Sequence, residues 1–208
     1  MVGEWSIARV ARMMDDVFKK NDWFYGHVVR VKIAWGITGS GDKIIETVEL
    51  MERLKGERGI EIVPHASKEG EVVLKFYKIL KRVKEGFPGY KVERSANAPF
   101  LASKLQLGKF DLFLIAPATA NTVAKIAHGI ADTLITNAAL QAIKTNLPVY
   151  IYPVDQKVGE VTTILPNGEE MKLRVRKEDV KNVEALRSME GITVLKTLGE
   201  VEKVVRGK

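Results

Sequence analysis

Three places in the sequence set small polar residues directly behind an apolar run: Thr38-Gly39-Ser40-Gly41, Ser67, and Thr119-Ala120-Asn121-Thr122. The last is the densest, and it closes the near-continuous apolar stretch "LFLIAPA" that begins at Leu112 and breaks at Pro117. If each run is a strand and each following segment a helix, the first-turn N–H groups have no intrahelical acceptor. With the helix dipole they favour an anion, and neighbouring hydroxyls complete its shell. Small residues let the backbone approach the ligand closely. The pattern therefore suits a phosphorylated ligand beyond the strand ends. Taken singly, each piece has a plainer reading. "GITGSG" is not the G-x-G-x-x-G fingerprint and lacks the lysine of a P-loop, so a tight strand-to-helix turn explains it equally well. Ser67, Thr119 and Thr122 are residue types that cap helices. The convergence of three such ends carries the ligand reading.

Other chemistry is sparse. The chain of 208 residues has no cysteine, which removes disulfides, a thiolate nucleophile and an iron–sulfur cluster of its own. His27, His65 and His128 are scattered without metal-ligand spacing, so no metal site is expected. Asp132 reads as a local cap or ion pair, Lys104 as a solvated lysine, and Trp35 as core. Tyr150 and Tyr152 lie on one apolar run, and Tyr152, nearest its end, is the one expected to face the ligand. No residue identifies itself as catalytic. The formal net charge of +7 favours acidic partners. The cations are nevertheless spread along the chain, with no helix-turn-helix or aromatic-studded basic sheet, which argues against nucleic acid. No apolar run approaches the ~20 residues of a membrane span. The N-terminus, "MVGEWSIARVARMMDD", carries charge where a signal peptide needs apolar residues, and a cytoplasmic location is expected.

The elements that must position these residues follow from periodicity. Residues 1–30 read as a helical extension, with Ile7, Val10, Met14 and Phe18 at helical spacing. Its aromatics Trp5, Trp23, Phe24 and Tyr25 suit packing onto the body or onto another subunit. "RVKIAWGI" is a strand, "KIIETVELMERL" a helix and "GIEIVPHAS" a second strand. "GEVVLKFYKILKRV" reads as one helix with Val72, Val73, Phe76, Ile79, Leu80 and Val83 on its buried face. A short helix spans Pro99 to Leu107, and "KFDLFLIAP" and "LPVYIYPV" are further strands. Alternating strands and helices, with strands apolar on both faces, predict an α/β fold: a parallel sheet covered by helices on both sides. The C-terminal part, 158–208, adds a β-hairpin turning at Asn167-Gly168, a helix with Val180, Val183, Leu186 and Met189 on one side, a short strand and a last helix. No linker divides 31–208, which reads as one domain.

At "PATANT", Pro117 to Thr122, the sequence closely resembles the Pro-Ala-Ser-Ala-Asn-Thr motif of the homo-oligomeric flavin-containing cysteine decarboxylase superfamily. "VAKIAHGIADTLIT", the "GITGS" loop and the serine ending the second strand continue the likeness. The resemblance implies a three-layer flavodoxin-like sheet, bound FMN, and a homo-oligomer, a trimer or multiples of it, with flavin at subunit contacts. By the same resemblance Thr38, Gly39, Ser40, Gly41 and Ser67 would hold the phosphate and ribityl chain. Thr119, Ala120, Asn121 and Thr122 would line the other side of the flavin. A single nucleotide site, without a second fingerprint, favours FMN over FAD.

Two departures bear on the reaction. Where the decarboxylases carry a histidine before the fourth strand, this chain has Lys104, a poor general base near neutrality. Where they carry Pro-x-Met-Asn after the fifth strand, it has "YPVDQK". A narrower branch fits better: "WGITGSGD", "YIYPVD" and "LPNGEEMKLRVRKEDVKNVEALRSMEGITVL" resemble the archaeal flavoproteins grouped with the dihydromethanopterin reductases. That likeness implies an FMN-dependent oxidoreductase or electron-transfer protein. It would accept electrons from a ferredoxin-like donor and pass them to an acceptor such as a pterin. A flavin-dependent decarboxylase or prenyltransferase, and a flavin-binding protein without turnover, are the alternatives.

Overall fold

The computed structural model describes residues 30–207. In chain order β1 is Val31–Ile37, α1 Ile44–Lys55, β2 Ile60–Ala66, α2 Lys68–Phe76, α3 Leu80–Gly86 and β3 Lys91–Val92. They are followed by α4 Leu101–Gln106, β4 Leu112–Ala118, α5 Ala120–Ala127, α6 Leu134–Ala142 with a 3₁₀ turn Ile143–Thr145, and β5 Val149–Pro153. The C-terminal part holds β6 Gly159–Ile164, β7 Glu170–Val175, α7 Lys177–Arg187, β8 Ile192–Val194 and α8 Leu198–Val205.

Six strands form one parallel sheet in the order β3-β2-β1-β4-β5-β8. Apart from the two-residue β3, this is the flavodoxin-like order, in which the chain reverses its direction of winding between β1 and β4. Alternation along the strands feeds two cores. Ile33, Trp35 and Ile37 of β1, Leu112 and Leu114 of β4 and Tyr150 of β5 pack with α1, α2, α3 and α8 on one face. Phe113 and Ile115 of β4 and Val149 and Ile151 of β5 pack with α4, α5, α6 and α7 on the other. The expected α/β architecture, its C-terminal hairpin and its last helices are all present.

Several local expectations are corrected. The helix read through "GEVVLKFYKILKRV" is two helices, because the chain leaves helical geometry after Phe76 and Lys78 adopts φ 60. With that break two residues of the predicted face turn outward, Val72 and Phe76 at 55% and 59% exposed, while Val73, Ile79, Leu80 and Val83 pack on the first core as expected and Leu74 joins them. Pro117 does not end β4, which runs on to Ala118. Instead the register against β5 shifts, so that three residues of β4 (Ile115 to Ala118) advance while β5 advances two (Ile151 to Pro153). A strand proline has no N–H to give to the ladder, and a bulge is where a sheet tolerates one. The hairpin closes through Leu165 N–H to Glu169 O (2.9 Å), so Asn167-Gly168 lie in a connection longer than two residues. The helix expected over 1–30 and its aromatics lie outside the described residues. Among the described residues, no helix is long and apolar enough to cross a membrane, and no cluster of three metal-ligating side chains exists.

Candidate functional site

A ligand on such a sheet belongs in the crevice beyond the carboxyl ends of β1 and β4, where the loops part in opposite directions. The two loops are tied together by one side chain. Thr38 Oγ1 donates to Pro117 O at 2.7 Å and accepts the Thr119 N–H at 3.0 Å. Its hydroxyl is spent on this brace, and the residue is 1% exposed. Within β1 and β4 themselves, Trp35 Nε1 donates to Ala116 O at 2.8 Å, so the β1 side holds two consecutive carbonyls of the bulge, Ala116 and Pro117.

The β1–α1 loop is packed from below. A Cβ on Gly39 would lie 2.8 Å from Glu69 Cβ, and one on Gly41 would lie 2.7 Å from the Tyr77 hydroxyl. Only glycine lets this turn lie so close to α2 and its C-terminal tyrosine. Ser40 Oγ donates to Asp42 O at 3.0 Å, which shapes the turn into α1. Among the described residues, the N–H groups of Gly39, Ser40 and Gly41 have no acceptor.

The other two strand ends behave as caps. Ser67 Oγ accepts the Gly70 N–H at 2.9 Å, and its own N–H bonds Ile37 O at 2.9 Å. Thr119 Oγ1 accepts the Thr122 N–H at 3.2 Å and donates to Thr122 Oγ1 at 3.0 Å. Each of these helix N-termini also has a carboxylate of the chain nearby. Glu93, just past β3, takes the Lys68 N–H at 3.3 Å. Asp155, just past β5, lies near the start of α5, where Ala120 helps to offset the upward push of burial on its carboxyl. The structure therefore brings all nine predicted residues to one end of the sheet but divides their labour. Thr38, Ser67, Thr119 and Thr122 use their hydroxyls to build the site. The Gly39–Gly41 amides and the exposed Asn121 side chain offer free hydrogen-bonding groups. The anion-ready turn is the β1–α1 loop.

Glu93, Asp155 and Asp42 were not singled out from sequence as site residues. Their only signal is position, since each follows a strand end by a few residues. Burial pushes the Asp42 carboxyl up, against the pull of Lys43. Asp155 is raised first by burial and then by the carboxylates of Asp179 and Asp42. Lys43 is raised by its hydrogen bond to Glu46, at 3.0 Å. Tyr150 and Tyr152, two residues apart on β5, share a face in the first core, and burial raises both phenols. Tyr152 is the one whose charge environment includes Lys43, Asp42 and Glu46. It therefore stands nearer the crevice, as expected. Lys104 lies on α4 beside His65, on the sheet face away from Tyr152. Burial first, then Lys104 and Lys91, hold that imidazole down to about 4. Asp132 pairs with Lys125 at 2.8 Å, and Trp35 is fully buried, both as expected.

The profile of the Flavoprotein family matches residues 25–206. An uncharacterized protein of Methanocaldococcus jannaschii is 54% identical over 175 residues, 84% of this chain and 94% of its own. A dihydromethanopterin reductase (acceptor) of the same organism is 31% identical, with 83% of this chain and 94% of that protein aligned. Among solved structures, Burkholderia xenovorans DmrB in complex with FMN, described as a cubic protein cage for redox transfer, superposes with a TM-score of 0.72. That match has 34% identity and covers 85% of this chain and 93% of the other.

Proposed function

The chain belongs to the Flavoprotein family, and from that footing we propose that it binds FMN and works as an oxidoreductase. In this reading it accepts electrons from a ferredoxin-like carrier and passes them to a pterin such as dihydromethanopterin. The observation that carries the reading is the β1–α1 loop. Three backbone donors without acceptors sit at the winding reversal, on a turn that glycines hold close to α2 and that Thr38 braces to β4. Such a cradle suits one terminal phosphate.

Gly39, Ser40 and Gly41 would hold that phosphate. The capped ends at Ser67 and at Thr119 to Thr122 would wall the space above it, with Thr38 keeping the walls at fixed separation. Asn121, exposed at the first turn of α5, has both a donor and an acceptor to give to a ring edge. When bound, the isoalloxazine supplies the capacity to take up and release electrons; the protein supplies position and electrostatics. The relatives that are named for reducing dihydromethanopterin or for holding FMN in a cage support the cofactor, the acceptor class and a homo-oligomer.

Heat release of the bound chromophore, followed by chromatography against standards, tests the cofactor. FMN is expected, and recovery of FAD or of no flavin would refute the reading. Anaerobic mixing with reduced ferredoxin, then with dihydromethanopterin, tests the chemistry. Carbon dioxide release from an acyl-cysteine substrate would instead assign the chain to the decarboxylases.

A further inference from the structure

What excludes a side chain at Gly41 is a tyrosine. Gly41 does not occupy the left-handed region that favours glycine, so its backbone would accept an alanine. The obstacle is contact. An added Cβ would meet the Tyr77 hydroxyl at 2.7 Å and the phenol ring at 3.1 and 3.2 Å. The phenol thus forms the floor of the turn whose amides are free. The same hydroxyl donates to Ile164 O, at the end of β6, at 3.0 Å. Among the described residues, no other hydrogen bond joins the β6–β7 hairpin to the rest of the chain.

Tyr77 is delivered to this place by the way α2 ends. The Ile79 N–H bonds Leu74 O at 3.0 Å and the Lys78 N–H bonds Lys75 O at 2.9 Å, with Lys78 at φ 60. Such a closure usually takes glycine at the left-handed position, because a Cβ is unfavourable there. A lysine held in that conformation shows that the surroundings impose the geometry. Phe76 meets the phenol edge-on, with ring centres 5.8 Å apart, and supports it from the solvent side.

We propose that Tyr77 is a positioning residue for the cofactor's phosphate: its phenol holds the Gly39–Gly41 amides in one orientation and couples them to the hairpin. This rests on the FMN reading above. Backbone donors hold an anion best when their directions are fixed before it arrives, and the phenol fixes them without touching the ligand. Because coupling between two sites is reciprocal, phosphate in the turn and the hairpin seated on Tyr77 favour one another.

Riboflavin, which is FMN without its phosphate, separates this role from a general loss of stability. Wild type should bind FMN far more tightly than riboflavin. Tyr77→Phe keeps the ring and removes the hydroxyl. It should weaken FMN about tenfold and leave riboflavin within about twofold. Gly41→Ala should also weaken FMN. Adding Tyr77→Phe to it should cost less than the two single changes together, because the colliding hydroxyl is gone. In wild type, FMN should slow amide hydrogen exchange in β6, riboflavin should not, and Tyr77→Phe should lose the effect. A Tyr77→Phe protein with the wild-type ratio of FMN to riboflavin affinity would overturn the proposal while the FMN reading stands. Additive losses in the double variant, or β6 exchange indifferent to FMN, would do the same. A wild type that binds no flavin, or binds riboflavin as tightly as FMN, would overturn the phosphate-turn reading and this proposal with it.

Discussion

Thr38 shows how a residue can serve a ligand site by touching the protein instead of the ligand. Its hydroxyl satisfies one buried carbonyl and one N–H on the facing loop. Thr38→Val keeps the shape and removes both bonds, leaving groups whose burial unpaired costs about 1–3 kcal/mol each. Urea unfolding should register that loss, flavin occupancy should fall with it, and Thr38→Ser should restore both. His65 supplies a pH signature unrelated to the ligand. Its Nδ1 lies 2.9 Å from Val63 O and its ring meets Phe110 edge-on at 5.9 Å, in a buried position. The folded-state value of about 4 lies below the unfolded 6.5, so the folded chain binds fewer protons. Stability is therefore present above about pH 6.5 and is lost as pH falls toward 4, by up to about 3 kcal/mol over that window. Denaturant midpoints at pH 7 and 4.5 should converge in His65→Gln relative to wild type. An equal acid loss in both proteins would assign the sensitivity elsewhere.

Among the elements, α2 has the closest seat. A Cβ on Gly70, in its first turn, would stand 2.4 Å from Ile37 O, a backbone atom that cannot turn aside. Gly70→Ala must lift α2 off the end of β1, and overpacking of this kind costs about 1–3 kcal/mol. The expected thermal shift is a Tm drop of about 2–4 °C per kcal/mol. Because Ile37 precedes the brace at Thr38, flavin retention should weaken in parallel. A Tm within a degree of wild type would show that α2 rides more loosely than its packing indicates. The hairpin is tied to this same region, since the Tyr77 hydroxyl that covers Gly41 also donates to Ile164 O at 3.0 Å.

For the molecule as a whole, surface character and net charge carry the expectations about partners. Phe100 and Leu107, at the two ends of α4, are 68% and 71% exposed, an apolar surface that a subunit contact would cover. Phe100→Asp with Leu107→Asp should shift the protein to a smaller species in light scattering, and an unchanged mass would place the contact elsewhere. The net charge of +7 should steer an acidic electron donor. Raising ionic strength should then slow flavin reduction by ferredoxin about tenfold or more while leaving reduction by dithionite unchanged. A rate indifferent to salt would remove the charge from the docking argument and leave the flavin site intact.

Local pattern alone was enough to read the alternating strands and helices, the two-sided burial of the sheet, the C-terminal hairpin and the residues gathered at the strand ends. These depend on periodicity and residue type, which a linear chain displays directly. Three decisions belonged to the tertiary structure. The bulge at Pro117 carries Ala118 to the face opposite the one that simple alternation assigns, and with it re-aims Thr119. Which hydroxyls are spent on bracing and which donors stay free depends on contacts such as Thr38 to Pro117, between residues 79 apart in sequence. The placement of Glu93 on the N-terminus of α2 also joins segments distant along the chain. Each joins groups far apart along the chain that no local pattern encodes, because such a contact chooses its partner by position in space.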